Sequence, residues 1–88
     1  MRTVYKYKLT AGENELKLPK GCQVLSVINQ FDNIMLYCLV ESEDEDSLDT
    51  TKVQVVGTGW EAPRGCKFIG TVTTLDGALV WHVFVRDN

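Results

Sequence analysis

Apolar and polar residues alternate along the last third of the chain in a way that predicts a β-hairpin over residues 67–86. Its turn is predicted at Asp76-Gly77, because a type I′ turn needs positive φ at both central residues. That turn fixes the register, so that Thr71 faces His82 and Phe68 faces Val85. One face of the hairpin is then a core face, made of Phe68, Val72, Leu79, Trp81, Val83 and Val85. The other face is mixed, which is typical of a sheet that also contacts a ligand, a partner subunit or a covering loop.

Further short strands are predicted by alternation or by short apolar runs over residues 3–9, 15–18, 22–30, 34–40 and 51–56. The nearly all-apolar run 34–40 predicts a central strand buried on both faces. A turn centred on Asp32-Asn33 would place Cys38 opposite Val27, too far from Cys22 for a disulfide. No stretch of about ten residues shows the apolar period of a helix. The chain is therefore expected to form one all-β domain over residues 1–88, an antiparallel sandwich or small barrel of about seven short strands.

The charge of the chain is concentrated in one segment. The formal net charge is −3, yet six of the twelve acidic residues lie between Glu41 and Asp49, which leaves nine basic against six acidic residues elsewhere. Segment 41–50 is expected to be a mobile, solvated acidic loop on a mildly basic body. That body suits a small anionic ligand, but its basic excess is too weak for duplex nucleic acid.

The remaining composition narrows the classes of function. There is no apolar run of membrane-spanning length and no apolar signal-peptide core at the N-terminus, so a cytosolic protein is expected. The three cysteines form no C-x-x-C pair and the chain has one histidine, so no metal site is expected, and the acidic segment lacks the glycine of a calcium loop. His82 lies mid-strand, where a hydrogen-bonded structural role is commoner than a catalytic one. The sequence predicts a protein that is not an enzyme and needs no cofactor. A chain this short would also gain stability as a homo-oligomer.

The candidate binding site is the loop over residues 57–65. Gly57 and Gly59 flank Thr58, so the backbone can approach a ligand and offer N–H groups to an anion. Trp60 offers an aromatic platform and Arg64 a planar cation. The alternative is that Trp60 folds back to plug one end of the core, with the glycines permitting the turn. The G-T-G segment is no Walker or dinucleotide motif, because no helix follows it and no lysine has the required offset.

Several segments together resemble a known family. They are K-Y-K-L near the start, L-P-K-G-C-Q-V-L-S-V, V-V-G-T-G-W, F-I-G-T-V and the terminal G-A-L-V-W-H-V-F. This combination resembles a family of short phage and prophage proteins described as a domain of unknown function. The resemblance implies synthesis in the cytoplasm of an infected bacterium, and it assigns no activity to any residue.

Three functions are compatible with these observations. The first hypothesis is an anti-defence sponge, a homo-oligomer that sequesters a small anionic, nucleotide-like ligand without turning it over. In it Trp60 stacks a base, Arg64 and the loop N–H groups hold phosphate, and Thr71 and His82 add hydrogen bonds. The second is a stoichiometric inhibitor that binds a host defence protein and uses the acidic segment as a nucleic-acid mimic. The third is a minor virion component.

Overall fold

A computed structural model describes residues 1–86 as seven antiparallel strands in two stacked sheets. The first sheet has the order β1-β4-β3 and the second the order β2-β5-β7-β6. The strands are β1 (Arg2–Leu9), β2 (Gly12–Pro19), β3 (Gln23–Gln30), β4 (Asn33–Glu41), β5 (Leu48–Gly57), β6 (Cys66–Thr74) and β7 (Leu79–Arg86). The all-β sandwich is thus confirmed, and the sheets do not close into a barrel. No helix in the described part of the chain has the length and apolar character to cross a membrane.

The core lies between the two sheets and is built from alternate residues of each strand. Its buried side chains come from every strand, because each strand turns one face inward. They are Leu9, Leu18, Val27, Ile34, Leu36, Cys38, Val53, Val55, Val72 and Val83. β4 is the central strand of its sheet, as predicted, but only its inner face is fully buried. Met35, Tyr37 and Leu39 on its other face are half-buried, because no second layer formed by residues 1–86 covers the outside of this sheet.

The β3–β4 hairpin turns one residue earlier than expected. Gln30 pairs with Asn33, so the two turn residues are Phe31 and Asp32 rather than Asp32 and Asn33. A β-bulge between Val24 and Ser26 shifts the register again and places Cys38 opposite Val24. The predicted pairing of Cys38 with Val27 was therefore wrong.

The corrected register brings Cys22 close to Cys38, and Cys22 packs against the core cluster that contains Cys38. The expected separation of these two cysteines was therefore wrong as well. Both thiols are free. Burial raises the pKa of each thiol, that of Cys38 to about 12.

The β6–β7 hairpin keeps the predicted register near its turn and departs from it further away. Thr74 pairs with Leu79 and Thr71 with His82, as predicted. A bulge between Phe68 and Gly70 then places Phe68 opposite Phe84 instead of Val85. Phe68 therefore lies on the outer face, 53% exposed, with its ring centroid 5.5 Å from that of Phe84. The predicted core face is correct for Val72 and Val83, which are buried, and wrong for Phe68 and for Leu79, which is 41% exposed.

The acidic connection is shorter than the predicted segment 41–50. β4 runs to Glu41 and β5 begins at Leu48, which leaves residues 42–47 with a 3-10 turn at Ser42–Asp44. The connection bonds to β1 and to the residue before it, since the Tyr5 hydroxyl donates to Glu45 Oε1 at 2.6 Å and the Ser42 N–H donates to the Met1 carbonyl at 2.9 Å. The hydrogen bond to Glu45 raises the pKa of the Tyr5 phenol. Mobility of the connection stays a prediction.

Candidate functional site

The G-T-G-W segment forms a tight turn at the end of β5. The Trp60 N–H donates to the Gly57 carbonyl at 3.1 Å, and Gly59 between them has a φ of 90°, a conformation that favours glycine. Gly57 pairs with Trp81 of β7, so the turn starts beside that residue. A Cβ on Gly57 would lie 2.9 Å from Cε2 of Trp60, which means that the indole rests directly on the glycine backbone. Both glycines of the motif are therefore required by local geometry.

Trp60 contacts the core and also stays open to solvent. Its ring lies 5.6 Å from that of Trp81 at an interplanar angle of 82°, an edge-on aromatic contact. Trp81 in turn donates its Nε1–H to Thr74 Oγ1 at 3.0 Å. Trp60 nevertheless remains 54% exposed and borders a cavity of about 260 Å³ lined by Gly57, Thr58, Trp60, Ala78, Leu79, Val80 and Trp81. Trp60 combines features of both predicted roles, because one side packs against Trp81 and much of the ring remains accessible.

His82 lies on the opposite, outer face of the four-stranded sheet, between two threonines. Its Nε2 lies 2.8 Å from Thr58 Oγ1 and its Nδ1 lies 3.0 Å from Thr71 Oγ1. Each hydroxyl can donate or accept, so both ring nitrogens are engaged within the protein. The contact with Thr58 also fastens the start of loop 58–65 to β7.

Arg64 lies apart from these groups. It lines a depression of about 380 Å³ together with Gln54, Glu61, Ala62 and Pro63. Gln54 pairs with Phe84 on the outer face of the four-stranded sheet, so loop 58–65 partly covers this face. A covering loop is one of the three kinds of contact, beside a ligand and a partner subunit, that the mixed composition of this face predicts.

The structure therefore distributes the seven predicted site residues over three places. Gly57, Gly59 and Trp60 form the turn against Trp81, while Thr58, Thr71 and His82 form the hydrogen-bonded group outside. Arg64 lines the separate depression beside Gln54.

Sequence reasoning missed a second feature at the same end of the sandwich, formed by the two hairpin turns. Phe31 and Asp32 have φ values of 52° and 64°, and Leu75 and Asp76 have values of 51° and 54°. Bulky side chains rarely adopt this left-handed conformation. Phe31 is also 90% exposed and Leu75 57% exposed. The two turns flank a cleft of about 480 Å³ lined by Asn29, Phe31, Asp32, Thr73, Leu75, Asp76 and Gly77.

Hydrogen bonds between the turns hold the cleft together. The Leu75 N–H donates to Asp32 Oδ1 at 2.8 Å, and Asn29 Nδ2 donates to the Thr73 carbonyl at 2.7 Å. Asn29 Oδ1 in turn accepts from the Asp32 N–H at 3.0 Å. Asn29 and Asp32 thus link the end of one sheet to the end of the other.

The full length of the chain, residues 1–88, matches a family described as a domain of unknown function, DUF7352. The chain belongs to DUF7352. No curated protein and no solved structure matches the chain. Since the DUF7352 description assigns no activity, the function of this member has to be argued from its surfaces.

Proposed function

We propose that the protein is a non-enzymatic binding protein that attaches to a partner protein through the end of the sandwich where its hairpin turns lie. The observation that carries the proposal is the exposure of four large apolar side chains at this end. They are Phe31 (90% exposed), Leu75 (57%), Trp60 (54%) and Leu79 (41%), and we call this set the turn-end surface. Contiguous exposed apolar side chains on a small soluble domain are typical of a protein contact.

A shared turn, a shared cavity and a shared cleft connect the four exposed side chains into one surface. Leu75 and Leu79 bracket the β6–β7 turn, and Leu79 lines the same cavity as Trp60. Phe31 and Leu75 line the same cleft, on either side of the hydrogen bond between Asp32 and Leu75. Burying a fully exposed side chain of this size yields about 1.5–3 kcal/mol, so Phe31, which is 90% exposed, has the most to gain in a complex. Interface hot spots are also enriched in aromatic residues such as Trp60.

The charge at this end favours a protein over a small anion. Among residues 1–86, neither the cavity beside Trp60 nor the cleft between the turns is lined by a lysine or arginine, and the cleft carries Asp32 and Asp76. One observation still favours a small anionic ligand, namely the accessible Trp60 ring beside a cavity of about 260 Å³. It is therefore retained as the second candidate.

The proposed setting follows the sequence resemblance. A short phage or prophage protein of this kind would act in the cytoplasm of the infected bacterium, as a stoichiometric inhibitor of a host protein. In that role the turn-end surface contacts the host protein. The acidic connection 42–47 is then an accessory contact or a solvated link.

The test compares contacts made from the two ends of the sandwich. A photo-crosslinking amino acid is placed at Phe31, at Leu75 and, as a control, at Leu48, which is 51% exposed where β5 begins. We expect one protein species to crosslink in infected cells from positions 31 and 75 and not from position 48, and native mass spectrometry to show a defined stoichiometry. Equal crosslinking from all three positions would refute the proposal. A co-purifying phosphorylated small molecule without a protein partner would favour the second candidate, and crosslinks between copies of this chain would make the surface a self-association interface.

A further inference from the structure

We infer that the cleft between the two hairpin turns is a pocket for an arginine side chain carried by the partner protein. This inference rests on the proposed function, because it names the group that the turn-end surface would receive. Its basis is the combination of apolar walls, unengaged carboxylate oxygens and fixed geometry in one cleft of about 480 Å³. That volume falls within the range of about 300–1,000 Å³ found for ligand pockets.

The walls and the charge of the cleft are complementary to one class of side chain. Phe31 and Leu75 offer apolar surface, while Asp32 and Asp76 bring two carboxylates and Asn29 and Thr73 add neutral polar groups. The hydrogen bonds and ion pairs within residues 1–86 leave Asp32 Oδ2 and both oxygens of Asp76 unengaged. A ligand that covers the cleft without pairing these oxygens would desolvate two charged groups and leave them without a hydrogen-bond partner, which weakens its binding.

Arginine satisfies these groups better than the alternatives do. Its guanidinium is planar, can bond a carboxylate through two N–H groups and can stack on an aromatic ring, while its stem packs on apolar surface. Lysine would supply a point charge without the stacking plane. An anion would be repelled by the carboxylates. A metal ion is disfavoured because, in the described part of the chain, no group of three His, Cys, Asp or Glu side chains comes together as ligands.

The cleft is also pre-organised. Asp32 Oδ1 is fixed by the Leu75 N–H, and Asn29 bonds both turns, so the walls are held before any ligand arrives. Less conformational entropy is then lost on binding. The bulky turn residues hold a left-handed backbone conformation that asparagine or glycine adopts more readily. Residues held in such conformations cluster at binding sites, which supports a functional role for Phe31 and Leu75 at the rim of the cleft.

The experiment uses a defined probe in place of the unidentified partner. Acetyl-Leu-Arg-Leu-amide is titrated into the ¹⁵N-labelled protein, alongside the same peptide with citrulline or with lysine in place of arginine. Citrulline keeps the shape of arginine and lacks its charge. We expect saturable shifts at the amides of Asn29, Asp32, Leu75 and Gly77 with the arginine peptide. Affinity should fall by at least about tenfold for the citrulline and lysine peptides, because each lost charge-assisted bond is worth about 1.5–3 kcal/mol.

The matched variant is Asp32→Asn with Asp76→Asn. Asparagine tolerates the left-handed conformation, and its side-chain oxygen can still accept from the Leu75 N–H, so the turns should stay intact and the amide spectrum verifies this. We expect a loss of at least about tenfold in affinity for the arginine peptide, from the same charge-assisted bonds. The control Asp49→Asn with Glu61→Gln removes two acids away from the cleft and should leave the affinity unchanged.

The outcomes separate this inference from the proposed function. Equal affinity for arginine and citrulline peptides, shifts that map to the sheet faces, or no saturable shift at millimolar peptide would each overturn the arginine pocket. If crosslinking from Phe31 still identifies a partner in that case, the protein-binding role stands and only the arginine assignment falls. If the arginine peptide binds as expected but positions 31 and 75 capture no partner, the cleft keeps its specificity and the proposed function falls.

Discussion

Trp60 stands edge-on against Trp81, with 5.6 Å between the ring centroids and 82° between the ring planes. Gly57 makes this contact possible, because the Trp60 ring occupies the space that a Cβ at position 57 would need. The loop that follows β5 is thus fixed at its start by a ring contact on one side of the sheet and by the Thr58–His82 hydrogen bond on the other.

Replacing Gly57 by alanine should displace the Trp60 ring. The added Cβ would meet Cε2 at 2.9 Å and Nε1 at 3.0 Å, so we expect the free energy of unfolding to fall by about 1–3 kcal/mol, as in other over-packed sites. The near-ultraviolet circular dichroism of the tryptophan pair should weaken in parallel. The matched control is Gly57→Ala in a Trp60→Ala background, where the clash is absent and the alanine should cost far less. A loss of equal size in both backgrounds would contradict the contact described here.

Breaking the threonine–histidine group should loosen the start of the loop. Thr58→Val keeps the shape of the side chain and removes the hydroxyl that lies 2.8 Å from His82 Nε2. We expect a loss of about 0.5–1.5 kcal/mol in the free energy of unfolding and faster amide hydrogen exchange in residues 59–62. Thr58→Ser should restore the slow exchange. Thr73→Val is the control, since the Thr73 hydroxyl has no hydrogen-bond partner among the described residues, and it should leave the loop unchanged.

Relieving the backbone strain at the hairpin turns should stabilise the protein. Phe31→Asn and Leu75→Asn place a residue that accepts positive φ where a bulky one now sits, and Phe31 loses little buried area because it is 90% exposed. We expect a gain of about 0.5–1 kcal/mol for each in urea unfolding. Each variant should also weaken crosslinking to the partner from a crosslinker placed at the other turn position. Leu48→Asn, at an exposed strand position, should give no such gain. If both turn variants were less stable than the original, packing of these side chains would outweigh the strain.

Alkaline solution should destabilise the fold through the buried Cys38 thiol. Its pKa is raised from 9.0 to about 12 by burial, so the unfolded chain loses this proton at a lower pH than the folded one. The contribution of the protonated Cys38 thiol to the free energy of unfolding is therefore complete below pH 9 and disappears as the pH rises towards 12. The raised pKa values of Tyr5 and Tyr7 act in the same direction. In Cys38→Ala the free energy of unfolding should fall less steeply across this range, as measured by urea titrations at successive pH values, and an identical slope would contradict the assignment.

Sequence patterns predicted the strands well and their registers only in part. Asp76-Gly77 located the β6–β7 turn, and the pairing follows from it as far as Gly70. Beyond Gly70 a bulge moves Phe68 to the other face, and nothing in the local alternation signals the extra residue. The β3–β4 turn was misplaced for a related reason, because turn preferences do not favour phenylalanine at a position with positive φ.

The candidate site was also predicted only in part, since its residues were identified and most of their contacts were not. The glycines, Trp60 and His82 stood out as unusual residues, and each has a defined geometric role. The contact of Trp60 with Trp81 and that of His82 with Thr58 both depend on the pairing of β5 with β7. This pairing joins segments that are distant in the chain, so a linear pattern does not contain it. Phe31 was assigned to the turn without a role of its own, and Leu75 was missed because an apolar residue beside a turn normally indicates the end of a strand.

The sheet topology gives the two strained turns a further consequence, for the rate of folding. Of the strand pairs within residues 1–86, only β3–β4 and β6–β7 join neighbours in the chain, whereas β1–β4, β2–β5 and β5–β7 bring distant segments together. Local hairpins have the smallest entropy of loop closure, so these two are the natural starting points of folding. Both must begin by placing bulky residues in a left-handed conformation, and we therefore expect slow folding for a chain of 88 residues. The two turns that carry Phe31 and Leu75 would then also prolong the time for which the unfolded chain is exposed to proteases and to aggregation.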